Sequence, residues 1–157
     1  MVNPEWLPAI HVHLYACNAR AGELPSSESI LINGVELPTI QCEDLSQSRF
    51  SISFEQAAEG LQQLDRFYFE PDGSFAWAGS TEPINNTSSL WQLYGMLYDY
   101  GGRLQRVEVQ GACPLEAWRS LLRVLDDKRQ TLIAQIQVPV CLVAARSLEK
   151  LWEPTHA

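Results

Sequence analysis

Long apolar runs and an excess of basic side chains are both missing from this sequence. The longest uninterrupted apolar stretch, PVCLVAA at 139–145, is far too short to cross a bilayer. Lysine and arginine number 11 against 19 aspartates and glutamates, which gives a net charge of −8 at neutral pH. Phosphate backbones and anionic lipids repel a chain this acidic. We therefore expect neither nucleic acid nor a membrane among its partners.

Cysteine is scarce, and no two cysteines lie close together in the sequence. The four, at positions 17, 42, 113 and 141, form no C-x-x-C pair and no zinc-knuckle spacing. The first residues, MVNPEWLPAI, lack the basic region and long apolar core of a secretion signal. We therefore expect a cytoplasmic protein with reduced thiols.

The short signatures of nucleotide-binding and hydrolytic enzymes are missing as well. The sequence has no glycine-rich phosphate loop and no serine-histidine-aspartate signature. Its 157 residues are 46% hydrophobic and 19% charged, which is an ordinary globular composition with enough apolar surface for one core. We predict a single domain over 1–157 without a cofactor. The missing signatures favour a binding protein over an enzyme.

The spacing of apolar residues divides the chain into strands and helices. Alternating patterns predict strands at 9–17 and 49–53, and hairpins at 30–37, 66–79 and 90–111. Apolar residues three and four apart predict helices near 54–64 and 114–125, the first opened by a capping box of Ser53 and Gln56. Residues 140–152 also fit a helix, whereas 131–138 fits either a strand or a longer second helix. Together these elements predict an α+β fold, an antiparallel meander sheet of six to eight strands with two or three helices mainly on one face.

Strand 90–99 is apolar on both faces. Trp91, Leu93 and Leu97 alternate with Tyr94, Met96 and Tyr98. A sheet with helices on one side needs only one apolar face, so the second face must contact something else. Cover from within the same chain is one alternative. The other is a binding surface at Tyr94, Met96 and Tyr98 for an unknown protein partner or for a second copy in a homodimer.

The stretch HVHLYAC places four polar or reactive side chains on one side of the first strand. His11 and His13 are spaced as metal ligands often are, which makes them candidate metal ligands. A catalytic metal usually needs a third ligand, and no spacing indicates one. His156 is one residue from the end of the sequence, and Cys17 lies about 13 Å from His13 by strand rise. We therefore favour an ordinary solvent-facing or interface strand.

Cys113 is the candidate catalytic residue. It begins the pattern Cys, five residues, Arg, Ser, which is also found in cysteine phosphatases. Pro114 has no N–H to offer a phosphate, and Glu116 would repel one. We also expect Cys113 at the N-cap of the second helix, where the helix end can lower the pKa of a thiol. A packed small side chain is the interpretation we favour. A metal- or thiol-dependent enzyme or sensor using His11 and His13, or Cys113, is the alternative function.

Overall fold

The computed structural model describes residues 7–19, 24–42, 45–80, 90–137 and 140–153, with only the backbone described at 25–27. Its strands are β1 (Ala9–Cys17), β2 (Pro25–Ile32), β3 (Val35–Ile40), β4 (Phe67–Phe69), β5 (Ser74–Ser80), β6 (Leu90–Tyr100), β7 (Arg103–Ala112), β8 (Thr131–Gln137) and β9 (Val140–Ala144). The α-helices are α1 (Phe54–Gln62) and α2 (Leu115–Leu125), and 3₁₀ helices cover Leu45–Gln47 and Ala145–Trp152. His156 lies outside the described residues.

The main sheet has seven antiparallel strands in the order β4-β5-β6-β7-β1-β8-β9, which confirms the predicted α+β class. Strands β4 to β7 form the predicted meander, because consecutive strands are also neighbours. The first strand does not lie at an edge. It pairs with β7 on one side and with β8 on the other, so Leu14 lies between Val107 and Ala134.

Both α-helices and the longer 3₁₀ helix pack on one face of this sheet, as predicted. Helix α1 begins at the predicted capping box, in which Ser53 and Gln56 each bond the other's backbone N–H. Helix α2 buries one side, which includes Trp118 and Leu122, against the sheet. Within the described ranges, the longest helix has 11 residues, and none is long and apolar enough to cross a membrane.

The predicted Asn-Gly hairpin forms a separate two-stranded sheet, β2-β3. Asn33 (φ 50°) and Gly34 (φ 80°) both adopt the left-handed conformation that a type I′ turn requires. Leu37 of β3 is fully buried in the main core. The hairpin therefore packs against β9 and the longer 3₁₀ helix instead of extending the main sheet.

Two sequence predictions of secondary structure are wrong. Residues 49–53 form no strand: the Phe50 N–H bonds the Leu104 carbonyl at 3.0 Å, but Phe50 and Ile52 pack into the core as irregular chain. Residues 140–152 are not one helix, since β9 pairs with β8 before the 3₁₀ helix begins at Ala145. The segment 131–137, for which the sequence allows two structures, is strand β8.

Candidate functional site

The face of the main sheet opposite the helices carries the candidate site. A small apolar cluster of Tyr15, Leu24 and Ile133 covers one corner of this face. We call the remainder the open face. Two rows of registered side chains cross it: Tyr68, Ala76, Tyr94, Gln110 and His11 in one, and Ser74, Met96, Glu108, His13, Gln135 and Leu142 in the next.

Glu108 of β7 is the centre of a polar cluster on the open face. Its Oε2 lies 2.9 Å from Nε2 of His11 and 3.6 Å from Nε2 of His13. Its Oε1 accepts a hydrogen bond from the Tyr98 hydroxyl at 3.1 Å. The alternation of each strand explains this convergence, because His13 and Met96 flank Glu108 in register and His11 is two residues along β1.

Arg106 completes this polar cluster, which we define as His11, His13, Tyr98, Arg106 and Glu108. Its Nε donates to Nδ1 of His13 at 3.2 Å, and its Cζ lies 3.9 Å from the centre of the Tyr98 ring. A guanidinium only donates hydrogen bonds, so Nδ1 of His13 acts as the acceptor. In the neutral imidazole the proton is then on Nε2, which faces Glu108.

The surroundings shift the pKa values of three members of the cluster, Glu108, His13 and Tyr98. The hydrogen bond from His11, helped by that from Tyr98, lowers the pKa of Glu108, so this carboxylate is ionised. Burial lowers the pKa of His13 and outweighs the opposing effect of Glu108, so this imidazole is neutral. Burial and the contact with Glu108 raise the pKa of Tyr98, so its hydroxyl keeps the proton it donates.

The structure brings the two predicted histidines together with a third group that can bind metals. The ligand atoms of His11, His13 and Glu108 all lie within 4.8 Å of one another. Sequence reasoning missed Glu108, because nothing local indicates that β7 pairs with β1. The one available signal was the alternation in RVEV, which places Arg106 and Glu108 on the same side of their strand.

The other reactive side chain of the first strand is not part of this cluster. Sγ of Cys17 lies 4.0 Å from Sγ of Cys42. Tyr15, on the same side of β1, is buried under Leu24.

The predicted surface of Tyr94, Met96 and Tyr98 does project from the open face, but its members differ in exposure. Tyr94 is 48% exposed, and its row ends at Tyr68, which is 66% exposed. Met96 and Tyr98 are half-buried, and both the ring and the hydroxyl of Tyr98 are engaged by the polar cluster. We call Tyr68 and Tyr94 the tyrosine flank. These two side chains present the accessible aromatic surface of this row.

Cys113 lies at the junction of β7 and α2 with its side chain fully buried. The expected N-cap position is occupied by Pro114 instead, since Leu115 is the first helical residue. Burial raises the pKa of Cys113 to about 12, so the thiol is protonated at neutral pH. Arg119 is bound to Glu149 and Glu116 at 2.9 and 3.1 Å. The burial of Cys113 in the core supports a packed small side chain at this position.

No protein-family model, no curated protein and no solved structure matches this chain. The open face has two distinct parts. It combines a compact polar cluster, built from β1, β6 and β7, with an aromatic flank that reaches the sheet edge at β4.

Proposed function

We propose that this chain is a non-enzymatic binding module that self-associates through the open face, as a homodimer. The supporting observation is the tyrosine flank, two exposed aromatic side chains on the sheet face opposite the two α-helices. Tyrosine, methionine and arginine are enriched at protein interfaces, and tyrosine and arginine often contribute most of the binding energy. Tyr94, Met96 and Arg106 supply all three residue types on this face.

The charge of the open face favours a second copy as the occupant. The two rows that cross it contain one charged side chain, Glu108, which Arg106 in the adjacent row balances. The whole chain carries a charge of −8, so two copies repel each other over most of their surface. A face-to-face contact through this neutral region brings the two chains together where repulsion is least. Sheets packed in this way lie about 10 Å apart, which is close enough to bury both tyrosine flanks.

The proposal includes a cytoplasmic location. The structure forms no disulfide among the four cysteines, and Sγ of Cys17 lies within hydrogen-bonding distance of Sγ of Cys42, at 4.0 Å. Thiols are kept reduced in the cytoplasm, whereas oxidising compartments favour disulfides. The net charge weighs against nucleic acid and anionic membranes as partners. The burial of Cys113 weighs against thiol-dependent catalysis.

Light scattering coupled to gel filtration tests self-association. We expect the wild-type protein to elute at twice the chain mass of 17.7 kDa. The Tyr94→Asp substitution places a charge on each side of the contact. We expect it to weaken the dimer by roughly 2 kcal/mol, or about 30-fold in dissociation constant.

Leu31→Asp is the matched control, because Leu31 is 69% exposed on β2, outside the main sheet. We expect this variant to dimerise like the wild type. A wild-type protein that stays at 17.7 kDa at every soluble concentration would contradict the proposal. So would a loss of dimer in Leu31→Asp as large as that in Tyr94→Asp.

A further inference from the structure

We propose that the polar cluster binds one divalent transition-metal ion of the zinc class, at a site on the same open face that the proposed self-association uses. The ligands are Nε2 of His11, Nε2 of His13 and a carboxylate oxygen of Glu108. These are the three groups whose ligand atoms lie within 4.8 Å of one another. All three project from the open face, where the His11 side chain is 45% exposed in the single chain, so an ion can reach them from solvent in the monomer.

The distances between ligand atoms fit a small ion. A tetrahedral zinc ion with bonds of about 2.0–2.2 Å holds its ligand atoms roughly 3.3–3.5 Å apart. Oε2 of Glu108 lies 2.9 Å from the His11 nitrogen and 3.6 Å from the His13 nitrogen. The first distance is shorter than the zinc spacing and the second is slightly longer. All the ligand atoms lie within 4.8 Å of one another, so side-chain rotations that move each of them by roughly 1 Å bring them to the zinc spacing.

The backbone under the ligands is well held. His13 and Glu108 are directly opposed on β1 and β7, and each of these strands is paired on both sides within the sheet. Tyr98 donates to Oε1 of Glu108 at 3.1 Å and so leaves Oε2 directed at the histidines. A hydrogen bond of this kind, from outside the ligand set, commonly orients a metal-binding carboxylate.

The donor set selects the class of metal. Two imidazoles with one carboxylate suit zinc, iron, cobalt, nickel and copper, whereas calcium and magnesium prefer oxygen ligands throughout. Three protein ligands leave at least one coordination position for water or an exogenous ligand.

Arg106 competes with the metal for His13 and therefore lowers the affinity of the site for the ion. Its Nε bonds Nδ1 of His13 at 3.2 Å, so the neutral imidazole carries its proton on Nε2. Nε2 of His11 donates to Glu108, so its proton must likewise move to Nδ1 when a metal binds. At His13, a metal can bind Nε2 only after its proton has moved to Nδ1 and Arg106 has released that nitrogen. The imidazole stays neutral throughout, because the proton changes position and is not lost. The guanidinium charge also repels the ion.

Isothermal titration with Zn²⁺, on protein without a histidine tag, tests the site. We expect the wild type to bind one ion per chain. We expect His11→Ala and Glu108→Gln to weaken binding by about 100-fold or more, beyond the 10–100-fold typical of losing an outer hydrogen bond. The Arg106→Met substitution removes the competing charge and donor but keeps a side chain of similar length. We expect it to tighten zinc binding by about tenfold.

Three controls make the result specific. Glu59→Gln, on the exposed side of α1, should bind zinc like the wild type. Cys17→Ser should also bind zinc like the wild type, which separates this site from the nearby thiols of Cys17 and Cys42. Circular dichroism of each variant checks that it is folded. Equal zinc affinity in wild type, His11→Ala and Glu108→Gln would overturn the site, as would loss of binding in Cys17→Ser. Weaker or unchanged binding in Arg106→Met would overturn the role of Arg106.

Discussion

The Trp152 indole N–H donates to the Cys113 carbonyl at 2.7 Å where β7 passes into α2. The side chain of Cys113 has no exposed surface at this junction. Burial penalises the thiolate, and the pKa of Cys113 rises from 9.0 to about 12. Cys113, although it precedes a helix in the sequence, therefore keeps its proton at neutral pH.

Because the pKa of Cys113 is raised in the folded protein, the free energy of unfolding should fall at high pH. The unfolded thiol loses its proton above about pH 9, while the folded thiol keeps it up to about pH 12. Stability from this group is therefore complete below pH 9 and is lost as the pH rises from 9 to 12. Between about pH 8 and 10, the wild type should lose ~1.4 kcal/mol more unfolding free energy than Cys113→Ala. Urea unfolding at both pH values measures this difference, and equal losses in the two proteins would contradict it.

At the scale of single elements, helix α1 shows how a local signal determines a boundary. Ser53 Oγ accepts from the Gln56 N–H at 3.0 Å, and the Gln56 side chain accepts from the Ser53 N–H at 2.9 Å. Both groups lie within four residues, so the helix start is encoded where it occurs.

Removing the cap should cost a predictable amount of stability. We expect Ser53→Ala to lower the free energy of unfolding by about 1 kcal/mol, because the Gln56 N–H loses its partner. Gln62→Ala, at an exposed position of α1, should change it by less than ~0.5 kcal/mol. Urea midpoints of the two variants measure the contrast. Equal midpoints would show that the cap contributes nothing.

Elements whose signals are local were predicted correctly, and the two wrong predictions fall where a distant neighbour decides the structure. The Asn33-Gly34 turn and the capping box need only adjacent residues. Residues 140–144 fit a helix by spacing, yet they form β9 because β8 offers an edge with which to pair. Residues 49–53 fit a strand, yet Phe50 makes one backbone bond to β7 and its side chain completes the core. In both segments the secondary structure depends on whether a partner strand is available. A short stretch of sequence does not contain that information.

At the scale of the whole molecule, β1 joins the meander to the C-terminal strands. Leu14 is fully buried between Val107 and Ala134. The same long-range pairing assembles the polar cluster, since His11 and Glu108 are 97 positions apart in the sequence. The sequence identifies the side of β1 that carries the histidines. It does not identify their carboxylate partner, because that depends on which strands become neighbours.

Leu14→Ala tests the central position of β1. We expect a loss of about 2–5 kcal/mol in unfolding free energy, because truncation leaves a cavity in the core next to the central strand. Unfolding should remain a single transition by fluorescence and by circular dichroism, since the two halves share this strand. Leu31→Ala, at a side chain that is 69% exposed, should change stability by less than ~0.5 kcal/mol. Separate transitions, or equal effects of the two substitutions, would contradict a bridging role for β1.

The place of β1 in the sheet also has a consequence for synthesis on the ribosome. Both of its neighbours are translated long after it, since Leu14 pairs with Val107 and Ala134. At typical elongation rates of about 5–20 residues per second, the nascent strand waits roughly 5–20 s for its first partner. During that interval Ile10, Val12 and Leu14 form an apolar ribbon with both edges unpaired, a segment that chaperones readily shield and that neighbouring nascent chains can capture.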